Sequence, residues 1–237
     1  MTPLKLLLTG AILLATASAT SMANAQTPVA GPDPNTPVYV VGYIDVSQAS
    51  KAQAMTLLKQ FRTACAKEDG NQRCEAVQRM EQQNEFAVLE IWKDQKSYQA
   101  HSTGPGAQFR DRLKPMLTSP YDERVHTPFA VVPPQPAPAG RIIYAITHID
   151  VIPPLLAEAG PLLRPMAEAS RKDAGNGRFE VLQQLAPRTN HFTFVEIWAN
   201  KRQLENHQAL QRTIQFREKL QPLLGALYDE RLYKVLD

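Results

Sequence analysis

Residues 38–126 of this 237-residue chain and residues 143–233 are two copies of one sequence. Val38–Met80 aligns with Ile143–Leu185 at an offset of 105 residues. The offset grows to 106 through Glu90-Ile91-Trp92 and Glu196-Ile197-Trp198, and to 107 through Gln108-Phe109-Arg110 and Gln215-Phe216-Arg217. Of the 80 positions aligned without gaps, 30 are identical. A duplication this long constrains the fold more than any composition does, because each copy must be a structural unit that tolerates its twin. Both offset shifts fall in expected loops, where insertions are accepted.

Each copy reads as the same series of elements. Val38–Val46 and Ile143–Val151 are β-rich runs. Ala54, Leu57, Leu58, Phe61, Ala64 and Cys65 then follow helical spacing, with Ser47 or Ser50 as cap; Ala159, Leu162, Leu163, Met166 and Ala169 do the same in copy two. Pro161 and Pro165 lie inside the second run, so that helix should kink or start late. Gly70-Asn71 and Gly175-Asn176 end the helices. Two strand-like runs follow in each copy (Arg73–Met80 with Phe86–Trp92, Arg178–Leu185 with Phe192–Trp198), then a helical region broken in two, then a strand opening at Tyr121 or Tyr228. The order βαββαβ is the ferredoxin-like plan, an α+β fold.

The third strand explains why there are two copies. Phe86, Val88 and Trp92 share one face with Glu90, while Ala87, Leu89 and Ile91 share the other. Both faces are largely apolar, so both need cover. Helices can shield one, and the sheet of the second copy is the natural shield for the other. The expected architecture is two repeats packed sheet to sheet in one chain. The domains are then a first repeat at 38–128, a proline-rich linker at 129–141 with Pro133, Pro134, Pro136 and Pro138, and a second repeat at 142–237.

Residues 1–25 read as a signal peptide. Lys5 is followed by the apolar run Leu6–Ala17 and the small-residue site Ala23-Asn24-Ala25. That run is too short to span a bilayer, so the expected product is periplasmic or secreted, with no membrane attachment after cleavage. Export would put Cys65 and Cys74 where a disulfide can persist. The second copy has Ser170 and Phe179 at those positions, so the cysteines are either a bonded pair or two buried free thiols. Two cysteines exclude multi-cysteine zinc and iron–sulfur sites. The 26 Lys and Arg against 23 Asp and Glu form no basic block, so no nucleic-acid partner is expected. There is no phosphate loop and no HExxH, and no metal is expected.

Glu-Ile-Trp, followed nine residues after the Trp by His101 or His207, resembles the antibiotic biosynthesis monooxygenase family. The matching residues are Glu90, Trp92, His101 and Phe109, and again Glu196, Trp198, His207 and Phe216. The turns Lys67-Glu68-Asp69-Gly70 and Lys172-Asp173-Ala174-Gly175 are similar to the family's acidic-Gly turn. The resemblance implies a dimeric α+β barrel, here a monomer acting as a fused dimer. It also implies oxygenation of a small aromatic or quinol with no cofactor. The catalytic candidates are then His101 and His207 as base or orienting group, with Glu90 and Glu196. Trp92, Trp198, Phe109 and Phe216 would wall the substrate, together with Tyr43 and His148, which differ at equivalent strand-one positions. Haem-degrading relatives carry an Asn on strand one, and neither strand here has one.

Each of these residues also has a structural reading. The tryptophans can be core aromatics, the glutamates partners of Arg or Lys, and the histidines helix-end caps. Tyr-Asp-Glu-Arg, present twice, reads as the start of a strand with a surface ion pair. Two further functions use the same fold: a non-catalytic carrier or sensor binding an apolar small molecule or haem, and a structural module whose pockets are filled by side chains.

Overall fold

The computed structural model describes residues 33–133 and 141–236. The expected signal peptide at 1–25 and residues 134–140 of the expected linker lie outside them. Repeat one contains β1 (Val38–Asp45), α1 (Lys51–Cys65), β2 (Asn71–Arg79), β3 (Glu85–Trp92), α2 (Gln95–Thr103), α3 (Pro105–Leu113) and β4 (Asp122–Ala130). Repeat two contains β5 (Ile143–Asp150), α4 (Leu156–Ser170), β6 (Asn176–Gln184), β7 (His191–Trp198), α5 (Lys201–Gln208), α6 (Gln211–Leu220) and β8 (Asp229–Val235). The expected βαββαβ order is present twice.

Local chemistry sets the boundaries. Asp94 accepts from the Ser97 backbone N–H at 2.7 Å to start α2, and Asn200 accepts from Gln203 at 3.0 Å to start α5. Gly70 (φ +79°) and Gly175 (φ +80°) take the left-handed conformation that turns the chain after α1 and α4. Two expectations need correction. The prolines do not delay α4, which begins at the position equivalent to the start of α1 and carries Pro161 and Pro165 inside it. Both prolines are exposed, so the carbonyls they leave unbonded face water. The linker is also shorter than its prolines suggest. Thr127, Pro128 and Ala130 pair with Gln183, Leu182 and Val181 as part of β4, and Phe129 packs edge-on to Phe192 at 5.2 Å.

All eight strands close into one barrel in the order β1-β3-β2-β8-β5-β7-β6-β4. Within each repeat the first strand lies between the third and fourth. The last strand of each repeat also pairs with the second strand of the other, β4 with β6 and β8 with β2. The sheets therefore face each other, as expected, and are also hydrogen-bonded along both edges, leaving no open edge.

Three apolar cores result. Tyr39, Val41, Leu89, Ile91, Tyr144, Ile146, Val195 and Ile197 fill the barrel. The opposite faces of the strands meet the helices, with Phe86, Val88 and Trp92 under α1 and α3, and Phe192, Phe194 and Trp198 under α4 and α6. Buried charges also tie the repeats together inside the barrel. Arg178 binds Glu75 at 2.8 Å, Arg73 meets Glu180 at 3.4 Å, and Tyr144 Oη donates to Glu75 at 3.2 Å. Such pairs add little net stability, but removing one partner strands a buried charge, so they penalise any other arrangement of the two halves.

Cys65 and Cys74 are bonded, joining the end of α1 to β2. Repeat two fills the same place differently. Ser170 bonds back to the Met166 carbonyl at 2.7 Å, and Phe179 packs against Phe194 at 5.3 Å.

Candidate functional site

In repeat one the motif residues converge between sheet and helices. Glu90 and Trp92 are two residues apart on β3, so their side chains leave the same face, and Trp92 Nε1 donates to Glu90 Oε2 at 2.8 Å. His101, in the last turn of α2, stacks on the Trp92 ring at 4.5 Å. Its Nδ1 lies 2.9 Å from Glu68 in the acidic-Gly turn, and its Nε2 faces Glu90 at 3.5 Å. Phe109 stacks on Phe61 at 4.0 Å. Burial pushes the Glu90 carboxyl upward, and His101 and the Trp92 hydrogen bond pull it back in part. His101 is therefore a link between two carboxylates, not a simple helix cap, and both Glu90 and Glu196 accept from the indole of their neighbouring Trp.

Repeat two keeps the frame and alters the contacts. Trp198 Nε1 donates to Glu196 at 2.8 Å, and His207 lies 4.7 Å from the Trp198 ring. His207 Nδ1 binds Asp173 at 2.7 Å, and Arg212 binds the same carboxylate. Gly106 lets His101 pack closely, since a Cβ there would stand 2.7 Å from His101 Nε2. Thr213 occupies that position in repeat two, and His207 makes no ionic contact with Glu196. Glu196 is left buried beside Glu230, with Arg217 as its cation. Burial first, and then the Glu230 charge, push its carboxyl up to about 8. Burial lowers His207, with Asp173 opposing.

Both motif clusters are packed solid. Trp92 and Trp198 are 0% exposed, and His101 and His207 are 4% exposed. Tyr43 and His148 do not join them. They lie on the barrel-facing side of β1 and β5, with Val41 and Ile146, away from the tryptophans. Tyr43 sits between Arg124 at 4.7 Å and Arg231 at 5.6 Å. His148 Nε2 meets His191 Nδ1 at 3.1 Å, and His191 Nε2 is 3.4 Å from Asp150. Phe109 and Phe216 stay on the helix side but within the packed core.

The space for a ligand lies at the edge of the repeat-two cluster. A cleft of about 800 Å³ is lined by Arg217, Gln221, Leu224, Gly225, Ala226, Leu227 and Tyr228. The Arg217 guanidinium stands 4.9 Å from the centre of the Tyr228 ring and binds Glu230 at 3.0 Å. Tyr228 is near enough to Glu196 for that carboxylate, after burial, to raise its phenol. In repeat one the equivalent Tyr121 drops onto β1, its Oη 2.1 Å from where a Gly42 Cβ would stand. Thr147 holds the Gly42 position in repeat two.

The model of the family described as antibiotic biosynthesis monooxygenase matches residues 37–109 and again 142–219. The chain belongs to that family. No curated protein matches it by sequence. Among solved structures it is similar to a Fusobacterium nucleatum protein provisionally named a monooxygenase, with TM-score 0.76, 13% identity, and 85% of this chain and 93% of that one covered. It is also similar to a Lactobacillus acidophilus protein with the same provisional name (TM-score 0.68, 11% identity, 84% and 93% covered). A third is an anthrone oxidase-like protein (0.66, 11%, 86% and 93%). At these identities the likeness is one of fold. The family match ends at residue 219, so the loop 221–228 that walls the cleft lies beyond it. Sequence reasoning gave Tyr228 and Arg217 no site role. Their signal was the repeat itself, since Gln-Phe-Arg and Tyr-Asp-Glu-Arg recur in both copies.

Proposed function

We propose that the chain is an exported monooxygenase that oxidises small hydroxylated aromatics, phenols or quinols, without a cofactor, and that repeat two does the work. One observation carries the reading: the cleft ends on Tyr228 and Arg217 beside Glu196, a buried carboxyl at about 8. Proton transfer is efficient when the two acidities approach each other, and a phenol near 10 is far better matched to this group than to an ordinary carboxylate. Glu196 takes the substrate's proton, with Tyr228 relaying it, and Arg217 holds the phenolate charge. The anion then supplies electrons to dioxygen. A ring C–H becomes C=O and the second oxygen atom leaves as water, so phenol plus O₂ gives quinone plus water. Quinol plus O₂ likewise gives hydroxyquinone plus water, and no outside reductant is needed.

One observation favours a second reading, a carrier of an apolar molecule: Trp198 and His207 are shut away from the cleft. Haem is a poor cargo at this place, because the helix-side histidines are buried with Nδ1 held by carboxylates and offer iron no accessible nitrogen.

The test is oxygen uptake with a panel of phenols and quinols, comparing wild type, Glu196→Gln and Glu90→Gln. Uptake should rise with pH through about 8, fall at least tenfold in Glu196→Gln, and persist in Glu90→Gln. Absence of uptake together with saturable ligand binding would transfer the site to the carrier reading. Cell fractionation tests export, which predicts a periplasmic chain starting near Gln26.

A further inference from the structure

The two repeats diverge most usefully at the lip of the cleft. In repeat one the loop after β1 reads Val46-Ser47-Gln48-Ala49-Ser50, and the loop before β4 reads Leu117-Thr118-Ser119-Pro120. In repeat two the same loops read Val151-Ile152-Pro153-Pro154-Leu155 and Leu224-Gly225-Ala226-Leu227. Three polar residues of the first loop have become Ile, Pro and Leu. The two polar residues of the second have become Gly and Ala. The loops touch in both halves: Val46 bridges to Leu117, Val151 bridges to Leu224, and Ile152 N–H donates to Leu223 at 2.8 Å. The changes therefore converge on one surface.

Repeat one ties this surface shut with polar contacts. Ser119 Oγ donates to Asp45 at 2.8 Å and Ser47 Oγ binds Ser50 Oγ at 2.8 Å; the Thr118 N–H bond to the Asp45 carbonyl (2.9 Å) is kept in repeat two as Gly225 N–H to the Asp150 carbonyl (2.8 Å). Repeat two has lost these side chains. At Gly225 a Cβ would sit in ordinary van der Waals contact, nearest Ile152 at 3.7 Å, so nothing in the packing demands the glycine. Leu227 is 91% exposed, and Pro153 and Pro154 are exposed beside Ile152. One exposed apolar side chain is ordinary, but Leu227 lines the cleft together with Leu224 and Ala226, so the lip is apolar along its run. The cleft thus has two poles, the Arg217–Tyr228 pair within and an aliphatic lip outside. Its volume of about 800 Å³ lies in the upper part of the range for drug-sized ligands, far more than one hydroxylated ring fills.

We infer that the ligand of this cleft is an amphiphile: a hydroxylated aromatic ring bearing an aliphatic arm of several carbons. The ring lies against Tyr228 and Arg217, and the arm leaves across Leu224, Ala226 and Leu227. This rests on reading the cleft as the substrate site, and it adds what distinguishes one substrate from another.

Anaerobic calorimetric titration with 4-methylphenol, 4-butylphenol and 4-hexylphenol tests it, using wild type and the Ala226→Ser/Leu227→Ser variant, which makes the lip polar. Both positions line an exposed loop, so the variant should fold, as a matching melting curve would show. A methylene fully withdrawn from water tightens binding up to about fourfold. Wild type should bind one ligand per chain and gain at least about tenfold from methyl to hexyl, allowing for partial cover. The variant should keep its affinity for 4-methylphenol and lose most of that gain. A flat series in wild type, an equal gain in the variant, or no binding of any phenol overturns the inference. Oxygen uptake with the same ligands separates the two proposals. A chain-length gain without turnover removes the oxygenase and leaves the amphiphile, whereas turnover without the gain removes the amphiphile alone.

Discussion

Replacing Glu196 by Gln should stabilise the protein, and by an amount that depends on pH in a calculable way. Glu196 is 2% exposed, and its carboxyl moves from 4.5 in the unfolded chain to about 8 in the folded one. A folded value above the unfolded one means that folding takes up a proton across that interval. Stability from this group is therefore fully present below pH 4.5 and is lost as pH rises through about 8. Each pH unit within the interval is worth about 1.4 kcal/mol, so the loss is about 5 kcal/mol by pH 8. Gln is nearly the same shape, carries no charge, and can still accept from Trp198 Nε1, so it resembles the protonated acid at every pH. Urea unfolding of both proteins from pH 4.5 to 9 should show similar stabilities at the acid end. The variant's advantage should then grow with pH and level off above about 8. Other titrating groups change both proteins alike and cancel in the difference. A constant difference across the range, or a variant weaker throughout, would show that Glu196 is not a high-pKa acid, and the proton-transfer role built on it would fail too.

Two further perturbations probe the contrast between the repeats. Gly42→Ala should cost about 1–3 kcal/mol by overpacking, because its Cβ would collide with Tyr121 Oη and stand 2.8 Å from Val88 Cγ2. Adding Tyr121→Leu should recover part of that loss, and strictly additive effects in the double-mutant cycle would show that the two residues do not compete for space. Removing the Cys65–Cys74 bond, by reductant or by replacing both with Ala, should cost about 2–3 kcal/mol through the loop it closes. Melting curves should fall by roughly 5–10 °C for a chain of this size, and identical curves with and without reductant would contradict the bond.

Much of this molecule is legible in its sequence because the duplication supplies an internal comparison. The repeat order, the two apolar faces of β3 and β7, and the shared face of Glu90 and Trp92 follow from periodicities of 2.0 and 3.6, while His101 joins them through the family resemblance. What escaped depends on three-dimensional closure. Edge pairing of β4 with β6 and of β8 with β2 joins residues with no local signal, and the first of these draws Phe129 and Ala130 out of the expected linker into β4. Tyr43 and His148 stand out in the sequence because they differ at equivalent positions of the first strands. Strand alternation puts them with Tyr39 and Tyr144, on the face that the barrel encloses. The packed state of the Trp–His clusters was not readable either, since cavity volume depends on how Tyr121 and Tyr228 settle. Gly42 leaves the room that Tyr121 fills, and Thr147 stands at that position in repeat two.

Linking two such domains in one chain changes what each is free to become. In a symmetric dimer every substitution appears twice, so a change that opens a cleft also weakens the second copy of the same wall. Here the burdens are divided. Repeat one holds the disulfide, the close Gly42–Tyr121 contact, the Gly106–His101 contact and the polar clasp at Ser119. Repeat two gives up all four and gains a cleft, a carboxyl pushed up to about 8 and an exposed apolar lip. Each of those gains is destabilising by itself: a buried acid sits beside a second carboxylate, an apolar side chain stands in water, and a loop has lost the side-chain bonds of its twin. They are tolerated because β8 and β4 are woven into the other repeat's sheet, so the open half cannot unfold without breaking ladders that the closed half holds. The covalent fusion permits this asymmetry, and the proposed site falls in the half that shares its edge ladders with the closed one.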